Sequence, residues 1–257
     1  MMKHLFSVAG REALAALLRR RPLLAFDFDG TLAPIVPRPC DARIPRAVAL
    51  QLERLARRLP VAIVTGRAVA DLRGRLGFEP RFVVGSHGAE DVTDAAAAEA
   101  LTRRLDPLRG RIEAHGGAID AAGVFVEDKG ASIALHYRLA PDRERARAAI
   151  DALQLTDDPA LNLFSGKMVE NVVAAGAPDK AEAVRSLVAR ASCDSAFFAG
   201  DDVNDEPVFV AAPPHWLTVR IGRDDPHSRA RFFLDSPAEM AVALQTMIDE
   251  LDDTHRA

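Results

Sequence analysis

Residues 23–35 read "LLAFDFDGTLAPI". An apolar run from Leu23 to Phe28 carries Asp27, then breaks at Asp29-Gly30-Thr31. A short apolar run closed by glycine reads as a buried strand ending in a turn. Asp27 and Asp29 are two residues apart, so a continued strand would put both carboxylates on one face. Aspartate is a common turn former, and that property alone could account for both residues. The carboxyl edge of an open α/β sheet is also where such folds bind ligands. Two half-buried carboxylates there repel, and one of them is pushed to a raised pKa. A divalent cation relieves this, as does a division of labour between an acid and a base.

Similar apolar runs recur along the chain. "VAIVTGR" (61–67), "FVVGSHGAE" (82–90), "SAFFAG" (195–200), "HWLTVRIG" (215–222) and "RFFLD" (231–235) all read as strands. Helical spacing occupies 8–20, 44–58, 68–76, 180–190 and 237–251. This alternation predicts an α/β fold with a parallel sheet covered by helices on both faces. The middle of the chain departs from it. Residues 94–115 are helical in spacing, and "GVFVED" (123–128) and "ASIALHYR" (131–138) form two strands joined at Lys129-Gly130. A helix at 141–153 follows, then "ALNLF" (160–164) and "KMVENVV" (167–173), joined by Ser165-Gly166. Two hairpins and two helices predict a small α+β unit with an antiparallel sheet. Its expected place is 107–176, inserted into a core made of 1–106 and 177–257.

Composition narrows the classes. The 257 residues are 49% hydrophobic, enough for a full core and too many for a disordered chain. With 33 basic and 37 acidic residues the net charge is −4, which argues against nucleic acid as a partner. The run Arg19-Arg20-Arg21 reads as a solvated helix end. Cys40 and Cys193 form no CxxC pattern, so neither a zinc site nor a disulfide framework is indicated, and a reducing cytoplasm is expected. Arg11 and Glu12 interrupt any secretion signal, and no apolar run approaches a membrane span.

Four polar clusters fall just past predicted strands or open a helix: Asp27/Asp29, Thr65-Gly66-Arg67, Lys180 and Asp201/Asp202/Asp205. In a parallel sheet these positions converge on one crevice. Their residue types suit phosphoryl transfer. A carboxylate can become an aspartyl-phosphate, carboxylates and carbonyls can hold Mg²⁺, and backbone N–H groups, a hydroxyl and a lysine can neutralise phosphoryl oxygens.

"DFDGT", "VTGR", the lysine of "PDK" and "GDDVND" resemble, in order, the four motifs of the haloacid-dehalogenase-like phosphatases. The resemblance implies a Rossmann-like core with Asp27 as nucleophile and Asp29 as general acid/base. It implies that Thr65 and Lys180 bind the phosphoryl group, with Gly30, Thr31, Gly66 and Arg67 around it. Mg²⁺ would be held by Asp27, the backbone carbonyl of Asp29 and Asp201, with Asp202 and Asp205 close by. The insert resembles a cap domain of that superfamily.

A narrower likeness covers about residues 22–222. "FDFDGTLAPI", "GSHGAE", "VEDKGASIALHYR", "GKMVE" and "GDDVNDE" are together similar to the trehalose-6-phosphate phosphatase family. This implies a small sugar-phosphate substrate, with Glu127, Lys129 and Glu170 binding its non-phosphorylated glucose and His87 near the sugar. A monomer or weak dimer is expected, without nucleic acid or membrane partners. Strand alternation predicts that Glu170 faces the same way as Met168 and Val172. His136 shares a polar strand face with Ser132, Ala134 and Arg138, open to solvent or substrate. Three departures stand out. "NVVAAGAP" replaces the Leu-Arg-Pro usual after the second glutamate, "DKA" replaces "DKG", and Asn204 replaces a threonine. Sucrose-phosphate and mannosyl-glycerate-phosphate enzymes are rivals of the same fold. A receiver-like signalling module would lack the insert and the second aspartate.

Overall fold

A computed structural model describes residues 2–254, apart from residues 73, 92 and 167. A short strand β1 (Lys3–His4) leads into α1 (Val8–Leu18), whose first turn is capped by Ser7 Oγ accepting from the amide of Gly10. Strand β2 (Leu23–Phe26) is buried along its whole length, as an interior parallel strand must be. Then come α2 (Arg46–Ala56), β3 (Val61–Val64), α3 (Val69–Leu72), β4 (Phe82–Gly85) and β5 (Glu90–Asp91). The middle segment holds α4 (Ala95–Arg104), α5 (Asp106–Ala114), α6 (Gly116–Ala121), β6 (Phe125–Asp128), β7 (Ser132–His136), α7 (Arg143–Asp151), β8 (Leu161–Gly166) and β9 (Val169–Ala174). Alternation resumes with α8 (Lys180–Arg190), β10 (Ala196–Gly200), α9 (Glu206–Ala211), β11 (Leu217–Ile221), β12 (Phe232–Leu234) and α10 (Pro237–Thr254).

The larger sheet has the order β1-β12-β11-β10-β2-β3-β4-β5 and is parallel except for β5 against β4. Strands β2 and β10 are neighbours at its centre, so the loops carrying Asp27 and Asp201 emerge side by side. Helices cover both faces. One apolar layer joins Leu24, Phe26, Leu52, Phe197 and Met247, and the other joins Ala25, Val64, Val184, Phe198 and Trp216. A third apolar cluster lies under the smaller antiparallel sheet, ordered β6-β7-β9-β8. Leu101 and Leu105, ahead of the expected insert, pack with this third cluster.

The arginine run does sit at a helix end. Arg20 pairs with Asp194, and Arg21 donates to the carbonyl of Arg58, in keeping with cations at helix C-termini. Three local expectations change. The strand expected at 82–90 stops at Gly85, because Ser86 and His87 adopt left-handed φ values of 49° and 61° and turn the chain. The helix expected at 68–76 is confined to Val69–Leu72, with residue 73 outside the described residues. The second hairpin does not turn at Ser165-Gly166. Gly166 is still paired, with Val169, and the chain turns at Met168 (φ 65°), while Lys167 lies outside the described residues.

The resulting register fixes which side chains lie opposite one another. Val126, Leu135, Glu170 and Ser165 form one cross-strand row, and Glu127, Ala134, Asn171 and Phe164 form the next. Leu135 and Val172 belong to the helix-covered cluster, so the row containing Glu170 points there. The row containing Asn171 points the opposite way, towards the larger domain.

Candidate active site

The four clusters meet at the carboxyl ends of β2, β3 and β10 and the start of α8. Asp27 follows β2 directly and is buried, with its amide bonded to the carbonyl of Ala199. Helix α8 opens with a capping box in which Asp179 and Glu182 satisfy each other's backbone amides. This makes Lys180 the first helical residue and turns it inwards, where it is only 4% exposed. Its Nζ donates to Asp27 Oδ1 at 2.8 Å and to Asp205 Oδ1 at 2.7 Å. Asp205 Oδ2 in turn accepts from the amide of Asp202 at 3.0 Å, which shapes the loop after β10.

Carboxylate oxygens of Asp27, Asp201 and Asp205 lie within 4.8 Å of one another. One ammonium therefore faces three carboxylates. Burial, opposed by Lys180 and reinforced by Asp205, pushes Asp27 up to about 7. Burial, with Asp27, Asp205 and Asp202 added, pushes Asp201 up to about 8. Burial works against the Lys180 ammonium, but Asp205 and Asp27 outweigh it and raise its pKa. Asp202 Oδ1 is buried with no hydrogen-bond partner among the described residues. Surplus buried carboxylate of this kind suits a hard divalent cation with oxygen ligands. The cradle is tight, because a Cβ on Gly30 (φ +75°) would come within 2.2 Å of Asp201 Oδ2. Only glycine fits there.

Donors ring the space beside Asp27. Thr31 Oγ1 is buried without a hydrogen-bond partner among the described residues, and Thr65, 1% exposed, accepts from the amide of Arg67 at 3.2 Å. Asp29 is set differently from Asp27. Its side chain is 42% exposed, and Arg67 grips both its oxygens, Nε to Oδ2 at 2.6 Å and Nη2 to Oδ1 at 2.7 Å. Arg67 also reaches Asp71 at 2.5 Å, so its guanidinium is shared between two carboxylates.

The smaller domain closes over this crevice at two points. Lys129 Nζ donates to the carbonyl of Gly66 at 3.1 Å. The Phe164 ring meets the His87 ring edge-on, with centroids 4.8 Å apart. His87 packs so closely on Gly66 that a Cβ there would lie 2.3 Å from its Cε1. Both His87 ring nitrogens are buried without a partner among the described residues, and burial, with Lys180 and Lys129, pushes its pKa well below the ordinary value. Glu127 accepts from His136 Nε2 at 2.8 Å and lies 3.6 Å from Lys129 Nζ.

Glu170 is not brought to the crevice. It lies on the helix-covered face of the smaller sheet and accepts from Ser165 Oγ at 2.9 and 2.7 Å. It does face the same way as Val172, but that way is outwards from the site. Asn171, 5% exposed, faces the crevice instead, and its Nδ2 makes one long contact of 3.5 Å to the carbonyl of Phe164. Phe164 and Asn171 were not among the residues expected near the site, and His136, expected on a face open to solvent or substrate, meets Glu127 there. Glu90 was not expected there either. It bonds the amide of Val69 and Ser86 Oγ, tying the loop after β3 to that after β4.

A central parallel sheet, an aspartate pair after its first long strand and an inserted antiparallel cap define a haloacid-dehalogenase-like hydrolase fold. The solved C-terminal domain of Candida albicans trehalose-6-phosphate phosphatase superposes with a TM-score of 0.75 at 21% identity, covering 96% of this chain and 98% of that one. A trehalose-6-phosphate phosphatase related protein superposes with a TM-score of 0.72 at 23% identity, covering 91% of this chain and all of the other. The sequence model of the trehalose-phosphatase family matches residues 25–238, and the chain belongs to that family. Trehalose-phosphate phosphatase from Mycolicibacterium paratuberculosis is 35% identical across 95% of this chain, and the match spans 65% of that relative's length. The Mycobacterium tuberculosis counterpart is 32% identical over 88% of this chain and 61% of its own. No helix of the described residues is long and apolar enough to cross a membrane.

Proposed function

We propose that this chain hydrolyses trehalose 6-phosphate to trehalose and phosphate. The supporting observation is the buried Asp27 paired to Lys180, beside Asp201 and under a cap whose polar row faces it. Asp27 attacks phosphorus; a new bond to its carboxylate oxygen forms as the bond to the sugar oxygen breaks. Asp29 gives that oxygen its proton. It then takes a proton from the water that hydrolyses the aspartyl-phosphate. Lys180, Thr31, Thr65 and the backbone amide of Gly66 neutralise the phosphoryl oxygens, while the Gly30 amide, spent on the carbonyl of Ala33 at 2.8 Å, shapes the turn beside them. Arg67 orients Asp29.

The acidic group fits Mg²⁺, because one ammonium leaves the surplus carboxylate uncompensated. Asp27, Asp201 and the backbone carbonyl of Asp29 would hold the ion, with Asp202 and Asp205 close by. When bound it supplies positive charge to the phosphoryl group. In this reading the core is 1–106 and 177–257, and the cap is 107–176. The distal glucose meets Glu127, Lys129 and Asn171, which takes the role expected of Glu170, while His87 lies near the sugar. The protein acts in the cytoplasm as a monomer or weak dimer, without nucleic acid or membrane partners.

The test is phosphate release from trehalose 6-phosphate, glucose 6-phosphate and sucrose 6-phosphate, with Mg²⁺ and with chelator. Trehalose 6-phosphate should lead by roughly a hundredfold in kcat/KM, the size of several directed hydrogen bonds. A lead for sucrose 6-phosphate would move the substrate to a sibling enzyme. Full activity in chelator would remove the metal.

A further inference from the structure

The turn after β6 carries Lys129 across to the core, and it is firmly braced. Arg109 of α5 bonds both oxygens of Asp128, at 2.7 and 3.0 Å, and the carbonyl of Gly130 at 2.7 Å. The backbone of Lys129 is therefore fixed, and its long side chain is not. Four methylenes and a point charge have many rotamers, and only a partner selects among them. The partners of Lys129 are the carbonyl of Gly66, at 3.1 Å, and Glu127 on the same hairpin, whose Oε2 lies 3.6 Å from Nζ.

Glu127 is itself held. Its Oε2 lies 2.8 Å from His136 Nε2. An ionised carboxylate can only accept, so the imidazole presents its Nε2 proton. His136 stands on β7, two residue pairs along from Ala134 and on the same face, and Ala134 is paired with Glu127. Its ring leans on Phe125 with centroids 5.9 Å apart, which fixes its plane. A continuous chain results: His136 to Glu127, Glu127 to Lys129, and Lys129 to the carbonyl of Gly66 in the core loop.

We propose that His136 is a positioning residue that holds Glu127, and through it Lys129, in the geometry that seats the sugar and draws the cap onto the core. It acts through Glu127 and does not touch the reacting atoms. This rests on the reading of Glu127 and Lys129 as sugar-binding groups. His136→Leu removes the donor. His136→Gln keeps an N–H at a similar reach.

The experiment has two arms. In the first, kcat and KM are measured on trehalose 6-phosphate and on p-nitrophenyl phosphate, which is too small to reach the cap. His136→Leu should raise KM for the disaccharide phosphate roughly tenfold, the scale of one charge-assisted hydrogen bond. It should leave the aryl phosphate within about twofold, a change too small to count as a lost bond. His136→Gln should restore most of the loss. His136→Leu combined with Glu127→Gln should cost no more than Glu127→Gln alone, because both break the same chain. Equal losses on both substrates, or additive losses in the double variant, would overturn the proposal.

The second arm does not depend on the sugar. The rate at which sulfo-NHS-acetate acetylates Lys129 is followed by mass spectrometry in the full chain. It should rise several-fold in His136→Leu and stay near the wild-type rate in His136→Gln. An unchanged rate in His136→Leu would overturn the proposal even if trehalose 6-phosphate proved the wrong substrate. Failure of the substrate alone would leave this arm intact.

Discussion

Arg67 and Asp29 form a two-pronged ion pair at the mouth of the crevice, with both carboxylate oxygens bonded at 2.6 and 2.7 Å. A carboxylate that must hand over a proton and later accept one needs a fixed direction. The planar guanidinium supplies it, packed over the Phe28 ring at 5.2 Å. Arg67→Lys keeps the charge but loses the fork. It should lower kcat roughly ten- to a hundredfold with little change in KM, as expected when an acid/base group is left unaligned. Steady-state kinetics on a phosphate ester checks this. A change confined to KM would instead make Arg67 a ground-state ligand of the phosphoryl group.

Lys180 has the opposite setting: buried, and shared between Asp27 and Asp205. Lys180→Met removes the only ammonium bonded to these buried carboxylates in the described structure. Breaking a buried pair in this way costs about 3–5 kcal/mol. In a chain of this size that lowers Tm by on the order of 10 °C. Thermal unfolding in chelator should reveal that fall together with lost turnover. Turnover lost at an unchanged Tm would mean that the ammonium acts on substrate alone.

Asp27 and Asp201 give the metal-free protein a pH-dependent stability. Their folded values, about 7 and about 8, lie above the ordinary 3.8. The folded chain therefore binds these protons more tightly than the unfolded chain, so stability falls as pH rises through this window. In chelator, Tm should be higher near pH 5.5 than near pH 8.5, values that bracket the two groups. The depressed carboxylates, such as Asp71 and Asp91, change protonation below this window; the depressed His87 works the other way up to its ordinary value of 6.5, and the two raised aspartates outweigh it. Asp201→Asn should raise the metal-free Tm near pH 8, because it removes a buried charge. Saturating Mg²⁺ should flatten the wild-type slope and leave the variant almost unmoved, since binding only the folded state is what stabilises. Differential scanning fluorimetry measures all of this, and an Mg²⁺ shift that survives in Asp201→Asn would sink the ligand assignment.

Much of the core was legible because each strand there is a continuous apolar run ended by a polar cluster. "LLAF" and "AFFAG" are buried along their full lengths, and the residues after them could go only to the sheet's carboxyl edge. The cap was legible in outline and not in its faces. Its strands have period two, so alternation puts Glu170 with Val172 on one face, but it does not say which face meets the core and which meets the helices. Ser165-Gly166 looks like a turn, yet the turn lies two residues later, at a methionine with positive φ that no propensity favours. The break at Ser86 and His87 was hidden for the same reason. Two non-glycine residues adopt left-handed conformations there because Glu90 and the Arg67 carbonyl hold the loop. The role of Glu90 left no mark in spacing, since its partners are one side chain and one distant amide.

Glu170 and Asn171 are adjacent in sequence and opposite in consequence. Glu170 shares its row with Leu135 and is satisfied by Ser165. Asn171 shares its row with Glu127 and Phe164 and faces the core crevice with a nearly unspent amide. An amide offers both a donor and an acceptor to a sugar hydroxyl, where a carboxylate offers only acceptors. Asn171→Ala should raise KM for trehalose 6-phosphate roughly five- to thirtyfold, the range for a hydrogen bond of about 1–2 kcal/mol. It should barely affect p-nitrophenyl phosphate. Glu170→Gln should leave both substrates unchanged, since its bond to Ser165 lies on the far face of the sheet. Its cost should be stability alone, of about 1 kcal/mol or less for a solvent-accessible pair. Kinetics of the two variants side by side decides the matter. A sugar-specific KM defect in Glu170→Gln, with Asn171→Ala silent, would mean that the cap sheet turns its other face to the substrate.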